Sequence, residues 1–349
     1  MALSVYAPAS IGNVGVGFDL LGAAVSPIDG DPLGDEITIY GIAEDDFKVS
    51  LAGAFAHALP QDSRDNIVYQ CSHYFRDKLI NRLYERVNDK MRQRFSFHSQ
   101  SSKTTVPYLS MQLEKNLPVG SGLGSSAASI VAAFHALNVY FNRPFEQSEL
   151  LRMMGHFEGQ ISGSVHYDNV APCYLGGITL MADDEQIYRS LPVPDSWYWV
   201  MAYSGISVST KMAREVLPKQ LPMQTAIEYA RNLSVFVDAL HRQKWQMAAQ
   251  FIVDPVAEPH RRELLPGFVE VTEALKEQGA LACGISGSGP TVFAVAPNLE
   301  KARAFEQYMV RHYLRNDSGF CRICTIDKQG ARAVPLSDTA NKGLNNATI

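Results

Sequence analysis

Apolar positions along the chain fall into short alternating runs and longer helical ones, and the two periods sort the elements. "LSVYAPAS" and "DEITIYGI" near the start read as strands, the second alternating apolar and polar positions, with a loop rich in Gly and Asp between them. "DNIVYQCSHYFRDKLINRLYERV" sets Ile67, Tyr74, Phe75, Leu79 and Leu83 at helical spacing, with Asp65 or Asn66 as N-cap. Residues 88–105 lose the period and turn polar, which predicts an exposed insertion. "YLSMQLEKN" alternates again through Leu109, Met111 and Leu113 and runs straight into "PVGSGLGSSAAS" at 118–129. A helix over 126–141 follows, then a second in "QSELLRMMGHFEG", then a loop and the Gly-flanked strand "CYLGGITLMA" within 163–182.

Composition shifts at "DDEQ" (183–186), which predicts an N-terminal domain over 1–182 and a C-terminal one over 183–335. The second half alternates strands in "WYWVMAYS", "GALACGISGSGPTVFAVAP" and "GFCRICTID" with helices over 208–217, 222–251, 266–278 and 298–315. The fold class is therefore α+β. The polar tail over 336–349 is expected to be disordered.

A length of 349 residues suits two domains. The net charge is −5, and no basic stripe of a nucleic-acid binder is present; the densest basic run, "KMRQR" at 90–94, is short and reads as a solvated helix face or loop. No apolar run is long enough to cross a bilayer, and "MALSVYAPAS" has neither a basic start nor a long apolar core. Cys71, Cys173 and Cys283 are scattered, and the Cys321/Cys324 pair lacks the second pair or histidine of a zinc site. A cytoplasmic protein with reduced thiols and no nucleic-acid or membrane partner is the expectation.

Strand, glycine-rich turn, helix is an anion-binding arrangement, because amides at a helix start are unpaired and the helix dipole adds positive charge. Gly120, Gly122 and Gly124 would let the backbone wrap an anion where a β-carbon would clash. A Walker A loop is excluded, since Ser125 and Ser126 follow Gly124 without a lysine. The GxGxG spacing also departs from the GxGxxG of a dinucleotide fold. A structural tight turn remains the alternative.

Two further segments, "APASIGNVGVGFDLLG" near the start and "GISGSGPTVFAV" near the end, flank that motif. Together the three resemble the GHMP kinases. "EGQISGSVHYDNVAPCYLGG" at 158–177, "SGISVSTKMAREVLP" at 204–218 (Ser204 where proline is usual) and "EPHRRELLPGF" at 258–268 resemble homoserine kinases in particular. The likeness spans about residues 4 to 333. It implies two domains with ATP and L-homoserine between them, a left-handed βαβ crossover in the first, and a homodimer.

The resemblance also implies roles. Pro118, Val119, Gly120, Ser121, Gly122, Leu123, Gly124, Ser125 and Ser126 would cradle ATP, with Ser126 and Glu158 on Mg²⁺. A helix N-cap is the alternative for Ser126 and a solvated helix end, just before a break at Gly159, for Glu158. Arg214 and Arg261 would clamp the substrate carboxylate, a planar fork meeting a planar acid, with Arg262 the competing register. Asn13, Asp19, His166 and Asn169 would contact the amino acid, Asn169 near its hydroxyl. Asn169 stands where other members place an aspartate base, and an amide cannot take that proton. Either Asp168 or Asp19 is the base, or the hydroxyl attacks directly and loses its proton late to phosphate; direct attack suits a loose transition state better. Rival readings are a kinase for a sugar or mevalonate, a silent nucleotide-binding regulator, and, more distantly, a dinucleotide oxidoreductase.

Overall fold

The computed structural model describes residues 2–93, 106–163, 165–183 and 186–336, with side chains omitted for 86–93 and 162. Twelve strands form one sheet: β1 Leu3–Gly12, β2 Leu21–Pro27, β3 Gly34–Ala43, β4 Lys48–Ala52, β5 Tyr108–Glu114, β6 Ile178–Met181, β7 Tyr188–Leu191, β8 Tyr198–Tyr203, β9 Ala282–Ile285, β10 Val292–Ala296, β11 Phe320–Ile326 and β12 Arg332–Val334. The helices are α1 Ile67–Gln93, α2 Ser125–Tyr140, α3 Gln147–Ser162, α4 Val170–Leu175, α5 Thr210–Glu215, α6 Met223–His241, α7 Trp245–Gln250, α8 Glu258–Arg261, α9 Phe268–Glu277 and α10 Leu299–His312.

The main path runs β4-β5-β3-β1-β2-β11-β8-β10-β9, with β12 beside β1 and β6–β7 branching from β2. The strand β1 joins the two halves. Its first part, Leu3–Pro8, pairs with β3, and Ala9–Gly12 pairs with β2. β2 in turn pairs with β11, so strands from both ends of the chain lie side by side. β4 and β5 are parallel and are joined through α1, the crossover of the N-terminal half.

Alternation splits the core in two. In β8, Trp199 and Met201 join the larger core while Val200 and Ala202 face the smaller one, under α9 and α10. Phe293 and Val295 of β10 divide from Val292 and Ala294 in the same way. Both faces are covered, which is why these strands read as unbroken apolar runs. α2 is buried on nearly all sides, and Ala127, Ala128, Ala132, Ala133 and Ala136 let its neighbours approach closely. Its N-terminus emerges from the core at Gly124.

Several expectations are corrected. The Gly/Asp-rich loop contains β2, whose "LGAAVSP" is buried on both faces and so shows no alternation. Cys173 lies on the short helix α4, because Pro172 falls in its first turn where proline is tolerated. The helix expected over 222–251 is two, α6 and α7, separated at Gln243 with φ 56°. α1 continues to Gln93, so 88–93 is helix; residues 94–105 of the expected insertion and 337–349 of the tail lie outside the described residues. Asn66 caps α1, its Oδ1 accepting from Val68 N at 2.8 Å. No helix among the described residues is long and apolar enough to cross a membrane.

Candidate active site

The three glycine-rich segments meet at one cavity of about 690 Å³. Gly287 N, in the loop between β9 and β10, donates to Gly12 O at 2.7 Å, and Ser286 Oγ donates to Gly122 O at 2.7 Å. Gly120, Gly122 and Gly124 are all left-handed, with φ of 68°, 77° and 65°. Each carbonyl from 120 to 124 turns into the protein: Gly120 O accepts from Val208 N, Ser121 O from Thr291 N, Leu123 O from Ser10 N and Gly124 O from Ala128 N. The Gly122, Gly124, Ser125 and Ser126 amides have no protein acceptor among the described residues. That is a cradle for an anion, sited at the N-terminus of the buried helix α2. The glycine requirement has a second source as well. A β-carbon on Gly122 would lie 2.3 Å from Ser286 O, and one on Gly124 2.0 Å from Ser10 Oγ, so protein packing already demands glycine there.

Beneath the cradle lies a buried ion pair that sequence reasoning missed. Lys115 Nζ donates to Asp35 Oδ2, to Ser125 O at 2.7 Å and to Ser129 Oγ at 3.0 Å, and Lys115 is 2% exposed. Asp35 Oδ1 accepts from Asn116 N and Leu117 N. The signal was present in the parity: Lys115 continues the inward series Leu109, Met111, Leu113.

Ser126 Oγ, in the first turn of α2, donates to Glu158 Oε1 at 2.9 Å. The N-cap of α2 is Gly124, two residues earlier. Glu158 is 9% exposed, not solvated, and burial raises its pKa against the pull of Ser126 and Lys115. α3 does not break at Gly159. It runs on to Ser162 and closes at Gly163, while the missing side chain of Gly159 makes room for Val165.

At the far end, Arg214 Nη2 and Nη1 donate to Asp19 Oδ1 and Oδ2 at 3.1 and 3.4 Å. Arg214 Nη2 lies 2.8 Å from His166 Nε2, the geometry of a neutral imidazole accepting. Burial lowers the His166 pKa, Asp19 opposes that, and Arg214 adds to it. Arg214 Nε is buried with no acceptor among the described residues. Asn13 Oδ1 accepts from Asp19 N at 2.7 Å, and both residues adopt left-handed backbone within their glycine-rich loop. Asp19 thus enters the site already held by Arg214. The sequence reading gives it a substrate contact or the role of base, and no arginine partner.

Asp168 and Asn169 precede α4 between the two ends. Asn169 Oδ1 accepts from Ser10 Oγ at 3.0 Å. Burial, then the charges of Asp19 and Glu158, push Asp168 up to about 7. Arg261 is 3% exposed, donates through Nε to Ala213 O at 3.1 Å and through Nη1 to Gly287 O at 2.8 Å, and lies over the Phe18 ring. Arg262 is exposed and does not line the cavity. Asn13, Asp19, Ser126, Glu158, His166, Asn169, Arg214 and Arg261 all line it, as do Val119–Gly122 and Gly124–Ser126. Pro118 and Leu123 do not; both are buried. Lys211 on α5 lines it and was not singled out from sequence.

The family sequence model "GHMP kinases N terminal domain" matches residues 78–177, and "GHMP kinases C terminal" matches 236–315. A crystal structure of homoserine kinase from Cytophaga hutchinsonii is 31% identical, covers 95% of this chain and 97% of its own, and superimposes with a TM-score of 0.78. Mevalonate kinase from L. major, in complex with R-mevalonate, is 16% identical with a TM-score of 0.65 and covers 93% and 96% of the two chains. Mevalonate kinase from Methanococcus jannaschii, at 12% identity over 93% and 98%, also gives 0.65. At those lower identities the likeness is of fold. The fold is that of small-molecule kinases. The chain belongs to the GHMP kinases.

Proposed function

We propose that this protein is a homoserine kinase, transferring the terminal phosphoryl group of ATP to the hydroxyl of L-homoserine and making O-phospho-L-homoserine for threonine biosynthesis. The observation that carries the reading is the shared cavity, with unpaired amides at one end and the Arg214–Asp19–His166 cluster at the other. An acceptor with both a carboxylate and an ammonium fits that second end. Arg214 Nε, buried without an acceptor among the described residues, would be satisfied by such a carboxylate, and Arg261 adds positive charge at the same cavity. Asn13 and Asp19 face the amino group, with His166 beside them, and Asn169 orients the hydroxyl.

Ser126 and Glu158 suit Mg²⁺: two oxygen donors 2.9 Å apart, one a buried carboxylate, facing amides that would hold phosphate. Among the described residues no cluster of three or more acidic, His or Cys side chains forms a metal site, so phosphate oxygens would have to supply the remaining ligands. Bound there, the ion would neutralise charge on the triphosphate. The rest falls to the chain itself. The Gly122, Gly124, Ser125 and Ser126 amides fix the phosphates, and the cavity walls limit water. Asn169 aligns the hydroxyl oxygen, which bonds to the terminal phosphorus as the bond to the bridging oxygen breaks. The hydroxyl proton passes late to the transferred phosphoryl group, so no side chain need remove it. ADP release measured with homoserine, galactose and mevalonate tests the reading. Turnover should be fastest with homoserine, and a preference for either of the others overturns it.

A further inference from the structure

Resting on that kinase reading, we propose that Lys211 contacts the terminal phosphate of ATP and supplies, from the opposite wall, the cation that the glycine loop lacks. Lys115, Lys211, Arg214 and Arg261 are the lysines and arginines lining the cavity. Three of them are committed: Lys115 to Asp35, Arg214 to Asp19, and Arg261 to the carbonyls of Ala213 and Gly287. Lys211 is exposed and forms no ion pair or hydrogen bond among the described residues.

Its place along α5 decides which group it serves. Arg214 stands three residues later on the same helix face and fixes that end of α5 at Asp19 and His166. Just before α5, Val208 N donates to Gly120 O at 3.0 Å and Ser207 Oγ to Val119 O at 3.1 Å, pinning the other end to the glycine loop. Six residues separate Val208 from Arg214, about 9 Å at the rise of a helix, and Lys211 stands midway along them. Lys211 therefore lies between the phosphate cradle and the acceptor cluster, where the transferred group must pass. A lysine is a compact charge on a flexible stem, suited to following a phosphoryl group whose charge shifts during transfer.

ADP lacks the group in question, and this separates the proposal from a general electrostatic effect. Dissociation constants for ATP and ADP would be measured by calorimetry at saturating Mg²⁺ for the parent, Lys211→Ala and Lys211→Arg. The alanine variant should bind ATP about 10- to 100-fold more weakly, with ADP changed less than about threefold, and arginine should restore most of the loss. Equal weakening of both nucleotides, or unchanged ATP affinity, overturns the role of Lys211. A parent protein that binds neither nucleotide overturns the kinase reading itself, and the proposal with it.

Discussion

Asp168 is buried and feels the charges of Asp19 and Glu158, and it retains its proton up to about pH 7. An unfolded aspartate ionises near pH 4, so between about 4 and 7 the folded state holds an extra proton. Stability is fully present below that window and falls as pH rises through it, by up to about 4 kcal/mol. Asp168→Asn should flatten this fall and unfold at a higher temperature than the parent at pH 8. Thermal melts at pH 5 and 8 check it, and an unchanged pH slope would show that Asp168 is not the source. If the hydroxyl attacks directly, the same variant retains the phosphoryl-transfer step in a single turnover, whereas loss of a base would slow it about 10²–10⁴-fold. Asp19→Asn should act mainly on KM for homoserine, since it loosens Arg214 without touching the phosphates. Glu158→Gln should depress kcat steeply in a folded protein, and turnover like the parent's at saturating Mg²⁺ would remove Glu158 from the metal site.

The helix α2 delivers the phosphate cradle, and what holds its first turn is the Lys115–Asp35 pair wedged between β3, β5 and the helix. With both partners almost wholly buried, removing one leaves an uncompensated charge in the core. Lys115→Met should cost about 3–5 kcal/mol in urea unfolding. Lys115→Met with Asp35→Leu should cost markedly less, because neither charge is then stranded. Equal losses in the single and double variants would mean that hydrogen bonds to the backbone, and not charge pairing, hold the turn.

Across the whole molecule, β1 pairs with β12 and β2 with β11, so the N-terminal half completes its sheet only with strands from the end of the chain. The larger core likewise joins Val5 and Leu21 to Phe293 and Ile326. A fragment of residues 1–182 should therefore fail to fold alone, and the full chain should unfold in one transition. Circular dichroism and a cooperative melt of the fragment check this; native-like cooperative unfolding of 1–182 would establish it as an independent domain.

Local patterns carried much of this protein's architecture. Alternation marked β3 and β5, unbroken apolar runs marked β8 and β10, and helical spacing marked α1, α3 and α10, because such patterns arise within a few neighbouring residues. β2 and α4 escaped because a strand buried on both faces does not alternate and a six-residue helix shows too little of a period. The three glycine-rich segments were legible as motifs, since left-handed backbone and close packing leave few residue types able to serve. Their convergence was not legible. Asp19 meets Arg214 across 195 positions, Lys115 meets Asp35 across 80, and Ser126 meets Glu158 across 32. Sequence could nominate each side chain by type, but sheet order and the burial of α2 decided which charges were paired, which carboxylate kept its proton, and which lysine was left facing the cavity. Those outcomes depend on distance and desolvation, which only the folded chain sets.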